Sequence, residues 1–369
     1  MDGDLTMTLP AFRFPQPQSV STDYQGLRVV HAANYQFAKD GLVFFNPDLK
    51  INQGLIQNGC FVYPFSINDR ARMLSIIRSK TWGKGKANKA LIRTCLNVAP
   101  DLLVIGHGQF ITLETLQEIR RHLPNMKIAF WYFDALWDPK RIEHIYRRLE
   151  TLDAVVATSG GKWLKSLSRP HCPAGFIPNP VEPACERLRA FENERPQYDL
   201  VFFGADKGAP ERRAFLERLV GALPQAKLGI FGSLGHPFAF GAEKDAILAN
   251  SRMALNLNRR NDVELYSSDR IAQLTGNGLL TLTPSGAGLE QLYSTDEVAY
   301  YSDVDDLAAT VMKLKANDAQ ARAIAERGWR KSHVDYSSFN VVRFMLDLTY
   351  RNERYRSAPW GRHVYWGAD

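Results

Sequence analysis

Residues 267–283 read SSDRIAQLTGNGLLTLT. The spacing predicts a helix with Asp269, Arg270 and Gln273 on its first turns, a stop at Gly276-Asn277-Gly278, and an apolar strand over 279–283. A strand without polar alternation is one buried on both faces, as in a parallel sheet covered by helices. The polar residues at the helix start admit two readings. They form a solvated face, or they hold a ligand where free backbone N–H groups attract anions.

On either side of this unit the alternation of strand and helix continues. Strands are expected at 27–31, in FVYPF (61–65), DLLVIG (101–106), KIAFWYF (127–133) and DAVVAT (153–158). Between them, Asn46-Pro47 opens one helix and TLETLQEIRRHLP (112–124) forms another, closed by Pro124. The pattern breaks around Pro178-Asn179-Pro180 and in the charged ERLRAFENERPQ (186–197). It resumes with DLVFFG (199–204), a helix at 210–222, KLGIFG (227–232), a helix at 242–250 and MALNLN (253–258). Past the quoted stretch come a short helical turn at 287–292, EVAYY (297–301) and helices near 303–315, 317–330 and 336–351. The expected fold is α/β, with two Rossmann-like doubly wound domains facing a cleft. The expected divisions are a tail at 1–26, a first domain at 27–182, a linker at 183–198, a second domain at 199–335, and a terminal helix and tail at 336–369 available to pack back on the first domain.

Composition agrees. The 369 residues exceed one ordinary core, and 45% hydrophobic with 11% aromatic content is that of a globular chain. No apolar run approaches the ~20 residues that span a bilayer. The N-terminus MDGDLTMTLPAFRFPQPQ lacks the layout of a signal peptide, so a cytoplasmic location is expected. Cys60, Cys95, Cys172 and Cys185 show no CxxC spacing, and His171-Cys172 with Cys185 lacks a fourth ligand. Free thiols and no metal are expected. A net charge of +7 suits an acidic partner: nucleotide phosphates, anionic lipid or nucleic acid. The charge reads as spread along the chain. It is densest at Lys80, Lys84, Lys86 and Lys89 in KTWGKGKANK (80–89), read as a solvated glycine-rich loop without Walker spacing.

Ligands of open parallel sheets bind beyond the carboxyl ends of the strands. Those positions hold His31, Asn34, His107 and Asp134 in the first half, and Gly204, Lys207, Gly232, Ser233 and Asn258 in the second. Gly204 and Gly232 permit close approach of a phosphate, or simply a tight turn. His31 and His107 read either as general bases or as hydrogen-bonded structural histidines. Asp134, among the aromatics of WYFDALW (131–137), is costly to bury without a partner or a task. GHGQFI (106–111) has Ile111 where the third glycine of a dinucleotide fingerprint belongs, which argues against nicotinamide.

The run YSSDRIAQLTGNGLLTLTPSGAGLEQLYSTDEVAYYSDVDDLAATV (266–311) resembles the donor-binding half of GT-B glycosyltransferases, closest to the group related to the spore-maturation protein CgeB. The positions that carry the resemblance are Arg270, Gln273, Gly278, Glu290 and Glu297. FFNPDLKINQGLIQNGCFVYPFSINDRAR (44–72), PDLLVIGHGQFI (100–111), WYFDALW and IPNPVE (177–182) are similar to the acceptor half. The resemblance covers most of residues 27–335.

It implies a hexosyltransferase-type enzyme of polysaccharide biosynthesis that needs no cofactor or essential metal. The sugar would move from a nucleotide-diphosphate donor to a glycan or a lipid-linked, cell-surface acceptor. Donor contacts would come from Gly204, Lys207, Gly232, Ser233, Asn258, Ser268, Arg270, Gln273 and Glu290. His31, Asn34 and Asn179 would face the acceptor. Without a metal, Arg270, Lys207 and helix N–H groups would neutralise the diphosphate. Asp134 would be the catalytic base, with His107 second, if the configuration inverts; a retaining enzyme needs no such base. Gln273 departs from the group's glutamate, and its amide bonds a ribose hydroxyl without charge assistance. The basic, aromatic YRNERYRSAPWGRHVYW (350–366) offers contact with the first domain or with the inner, anionic face of a membrane. Two other readings keep the fold: transfer to nucleic acid, or a non-catalytic sugar-nucleotide-binding protein. An epimerase of the Tyr-x-x-x-Lys kind would need that pair beside a glycine fingerprint, and the sequence has neither.

Overall fold

The computed structural model describes residues 24–134 and 136–367; most of the expected tail at 1–26 lies outside the described residues. In the first sheet, β1 (Arg28–Ala33), β2 (Phe61–Ser66), β3 (Leu102–Gly106), β4 (Lys127–Tyr132), β5 (Ala154–Ala157) and β6 (Ala174–Phe176) run parallel in the order β6-β5-β4-β3-β1-β2. Their connections carry α1 (Pro47–Gln57), α2 (Ile67–Met73), α3 (Lys80–Val98), α4 (Leu113–His122), α5 (Pro139–Tyr146) and α6 (Gly161–Lys165). Every residue of β3 and β5 is buried, as strands covered on both faces require. Asn46 caps α1 by accepting from the Asp48 N–H at 2.9 Å, and Thr112 caps α4.

The second sheet is also parallel. It comprises β7 (Tyr198–Phe203), β8 (Leu228–Phe231), β9 (Ser251–Leu255), β10 (Leu280–Pro284) and β11 (Ala299–Tyr301) in the order β11-β10-β9-β7-β8. With it go α7 (Pro210–Ala222), α8 (Gly241–Ala249), α9 (Asp269–Gly276), α10 (Val304–Ala316) and α11 (Asp318–Val334). The chain then returns to the first sheet. Helix α12 (Ser338–Thr349) packs on α1, so closely at Gly54 that a Cβ there would fall 2.3 Å from the Ser338 carbonyl oxygen. Finally β12 (Val364–Tyr365) pairs antiparallel with β6. The two doubly wound α/β halves expected from the alternation are present.

Three local expectations are corrected. KTWGKGKANK is not a loop but the first half of α3. Gly83 is where α3 rests on α2, since a Cβ would lie 1.8 Å from the Ala71 carbonyl oxygen. β6 was not expected; Ala-Gly-Phe is too short and too small to show a strand period. Strand β9 ends at Leu255, earlier than the expected 258, which frees 256–258 to face the cleft.

Candidate active site between the two sheets

The polar residues of α9 point inward, not to solvent. Gln273 is only 5% exposed. Arg270 donates from Nε to the Phe203 carbonyl (2.7 Å) and from Nη1 to the Leu257 carbonyl (3.0 Å), with its guanidinium 5.2 Å from the Phe202 ring. Gly204 follows β7 directly and lies beside this arginine; a Cβ there would sit 2.8 Å from Arg270 Nη2. The N-cap residue Ser268 does not cap its own helix but donates through Oγ to Asn256 Oδ1 at 3.0 Å. Asn179 fastens the chain entering α9 from the other half. Its N–H donates to Ser267 Oγ (3.1 Å) and its Nδ2 to the Ser267 carbonyl (2.6 Å).

Above this helix start lies a cavity of about 450 Å³. One wall, from the second half, includes Arg212, Asn258, Arg259, Ser268 and Arg270; the other includes Asp134, Trp137, Asp138 and Arg141. Arg212, on the first turn of α7, donates to the Ala205 carbonyl (2.8 Å) and shares the Leu257 carbonyl (3.0 Å) with Arg270. Among the described residues no carboxylate forms an ion pair with Arg212, Arg259 or Arg270. Burial, then the neighbouring Arg270 and Arg259, push the Arg212 guanidinium down to about 10. Both side-chain polar atoms of Asn258, and Arg212 Nε, are buried without a partner among the described residues. A cavity with surplus cations and unpaired polar groups is suited to a polyanion. Trp137 and Tyr266 meet edge to face across it at 5.0 Å.

Asp134 reaches this cavity half-exposed, with Oδ2 accepting from Arg141 Nη1 at 3.3 Å. His107 does not line it. Its ring packs 3.9 Å from Phe133, its Nδ1 is buried without a partner, and burial holds its pKa below the usual imidazole value.

A second cavity of about 340 Å³ adjoins the first and shares Tyr266, Ser268 and Arg270 with it. Its walls are aromatic, with Phe203 and Phe231 stacked at 5.0 Å and Phe238 and Phe240 at 5.6 Å. Gly232 (φ +83°) makes the turn that seats Phe238; a Cβ there would lie 2.3 Å from that ring. Lys244 Nζ sits 4.4 Å from the Phe45 ring and donates to Gln273 Oε1, while Gln273 Nε2 donates to Asp269 Oδ2. Burial pushes Lys244 down to about 8.

The structure gathers Gly204, Asn258, Ser268, Arg270, Gln273 and Asp134 around these two cavities. Ser233 supports them from behind, donating to the Gly204 carbonyl at 2.6 Å. Lys207 is exposed and lines neither cavity, and Glu290 is exposed and spent on the Gly286 N–H at 2.8 Å. His31 is fully buried, bonded through Nδ1 to the Tyr35 hydroxyl at 2.6 Å and pushed down to about 3 by burial, so it has no surface to offer an acceptor. Asn34 is held by Asp48 Oδ2 (3.1 Å) and Asn46 Nδ2 (2.9 Å). Asn179, 1% exposed, is a strut between the halves. Sequence reasoning missed Arg212, Trp137, Tyr266 and Lys244; Arg259 falls in the strand-end segment 256–259 but carries no expected role. The rule of strand ends could have found Arg212, two residues into the helix that follows β7.

Residues 212–347 match the glycosyl transferase-like family, a stretch running from α7 through most of α12. No curated protein matches the sequence. Among solved structures, the sucrose-phosphate synthase of Thermosynechococcus elongatus superimposes with a TM-score of 0.52 at 12% identity, over 89% of this chain and 99% of that one. The N-terminal domain of trehalose-6-phosphate phosphatase from Candida albicans gives 0.53 at 11% identity, over 89% and 97%. A protein of Listeria monocytogenes described as a UDP-N-acetylglucosamine 2-epimerase gives 0.51 at 10%, over 89% and 97%. The architecture is that of the GT-B glycosyltransferases. Likeness at these identities is one of fold, and the fold alone does not fix the reaction.

Proposed function

We propose that the chain is a glycosyltransferase that moves a sugar, of hexose type, from a nucleotide-sugar donor to an acceptor hydroxyl in the cleft. The observation that carries this reading is the convergence of Arg212, Arg259 and Arg270, free of carboxylate partners among the described residues, on one cavity opposite Asp134. In sugar transfer a diphosphate leaving group gains charge as the glycosidic bond breaks, and guanidinium groups aimed at it stabilise that charge. Asn258 would bond a phosphate or sugar oxygen. The aromatic cavity would hold the nucleoside, with Lys244 and Gln273 beside its ribose. The arginines supply the neutralising charge that a metal would otherwise give, so donor binding is expected to persist in EDTA.

Asp134 would take the proton of the acceptor hydroxyl if the configuration inverts, with Arg141 Nη1 holding its carboxylate in place at 3.3 Å. His107, behind Phe133, would shape the loop and not touch the acceptor. The reading keeps residues 27–182 as the acceptor-side domain, 199–335 as the donor-side domain and 183–198 as their linker, with a glycan or lipid-linked molecule as the acceptor.

Calorimetry of the purified protein against UDP, GDP, dTDP, CMP and their sugars, with and without EDTA, tests it. Selective binding of one nucleotide, lost in Arg270→Ala, and release of that nucleotide from its sugar in the presence of acceptor are the expected results. Conversion of the bound sugar nucleotide to an epimer with no transfer would replace the reading. No binding by any nucleotide would end it.

A further inference from the structure

Outside the cleft, the least ordinary surface of the protein lies on α2, α3 and the turn between them. Ile76 is 97% exposed, Trp82 79%, Ile77 67% and Met73 64%. Single exposed apolar residues are common, but four large ones within ten residues form a patch that water disfavours. Residues 67–93 also carry eight basic side chains against one acidic, Asp69, a surplus equal to the whole chain's net charge of +7. The charge is therefore gathered, not spread as the sequence had read. Asp69 is already engaged, accepting from the Phe37 N–H (2.8 Å), Ser66 Oγ (2.6 Å) and Arg72 Nη1 (3.3 Å). Among the described residues the other seven cations make no ion pair. Behind the turn, Leu74 and Ile92 floor a groove of about 420 Å³ rimmed by Lys86, Lys89 and Arg93.

We infer that the α2–α3 face is a docking surface for an anionic lipid bilayer. An apolar patch flanked by lysines matches the layering of a membrane interface. Isoleucine and tryptophan enter the acyl boundary, and the ammonium groups stay at the phosphates. A nucleic acid would meet the cations but has nothing for Ile76, Ile77 and Met73. The surface also adjoins the first-half rim of the cleft. Lys80 and Lys84 lie 5.2 and 5.9 Å from the ring of Phe110, in the loop after β3 that carries His107. On the reading of the cleft given above, docking there sets the acceptor wall beside the bilayer. The docking itself does not depend on that reading.

The test is sedimentation with vesicles of phosphatidylcholine alone and of phosphatidylcholine mixed with phosphatidylglycerol. Binding is expected only to the mixed vesicles and should weaken with added salt. Ile76→Ser/Ile77→Ser should weaken it at least about tenfold. Lys86→Ala/Lys89→Ala should do so about 30-fold, at about 1 kcal/mol for each basic residue. Both variants replace exposed side chains, so melting temperature and nucleotide binding should stay at the parent values. Equal binding by the variants overturns the inference, as does failure to bind either vesicle. A dimer in light scattering that Ile76→Ser/Ile77→Ser dissociates, or tight DNA binding without vesicle binding, would assign the face to another partner and overturn it too.

Discussion

Lys50 Nζ lies 2.5 Å from Glu186 Oε1, with both side chains closed to solvent, and so ties α1 of the first half to the segment that leads into the second. Lys50 also lies 3.5 Å from Asp269 Oδ1 on α9, so one ammonium serves both halves. Removing one member of a buried pair strands the other charge. Lys50→Met should therefore cost about 3–5 kcal/mol, while Lys50→Met/Glu186→Met should regain most of it. Urea unfolding of both variants checks this; a single variant as stable as the double would show that the pair is not coupled.

Gly204 stands against Arg270, and a methyl group there would fall 2.8 Å from Arg270 Nη2 and 2.9 Å from the Phe202 ring. Gly204→Ala should displace the guanidinium and lower nucleotide affinity in the same way as Arg270→Ala. The latter is expected to lose about 10- to 100-fold, as for one charge-assisted hydrogen bond. Calorimetry on the double variant is the check. If Gly204→Ala acts through Arg270, the double binds no worse than Arg270→Ala; additive losses would refute that route.

Lys244 gives the aromatic cavity a cation that titrates near physiological pH, because burial pushes it down to about 8. The affinity of an anionic nucleotide should fall between pH 7 and pH 9, and Lys244→Met should bind more weakly at pH 7 without that fall. The stability effect has the opposite sign. A folded-state value below the ordinary 10.5 means that the buried cation costs stability below pH 8, and the cost disappears as pH rises from 8 to 10.5. Unfolding curves across that range should bring the parent up relative to Lys244→Met.

Much of this site was legible because strand ends and helix starts obey local rules. The stop after α9 needs glycine, since Gly278 has φ +78° and a Cβ would lie 2.8 Å from Phe191. Arg270 and Asp134 follow from position along their elements. His31 was misplaced because β1 continues to Ala33, two residues past the expected end, which draws the imidazole inside the sheet. Lys244 was not readable. Its burial depends on Phe45 and Phe203, remote in sequence, and α8 by itself looks like any mixed helix. KTWGKGKANK reads as a solvated glycine-rich loop, although Gly83 is what lets the helix lie on α2.

His31 and Asp48 offer a last, signed expectation. Burial pushes His31 down from 6.5 to about 3, so the folded state refuses a proton that the unfolded chain accepts; stability is lost as pH falls from 6.5 towards 3. Burial pushes Asp48 up from 3.8 to about 7, although it accepts hydrogen bonds from the Asn34 N–H and the Trp131 indole; stability is lost as pH rises from 3.8 to 7. Each slope is ~1.4 kcal/mol per pH unit, and they oppose one another between pH 3.8 and 6.5. The two groups together should contribute almost no pH dependence there. Asp48→Asn should expose the histidine alone, making the variant's stability climb with pH relative to the parent across that interval. Denaturant midpoints measured at pH 4, 5 and 6 decide it: parallel curves for parent and variant would mean that Asp48 titrates where an ordinary carboxylate does.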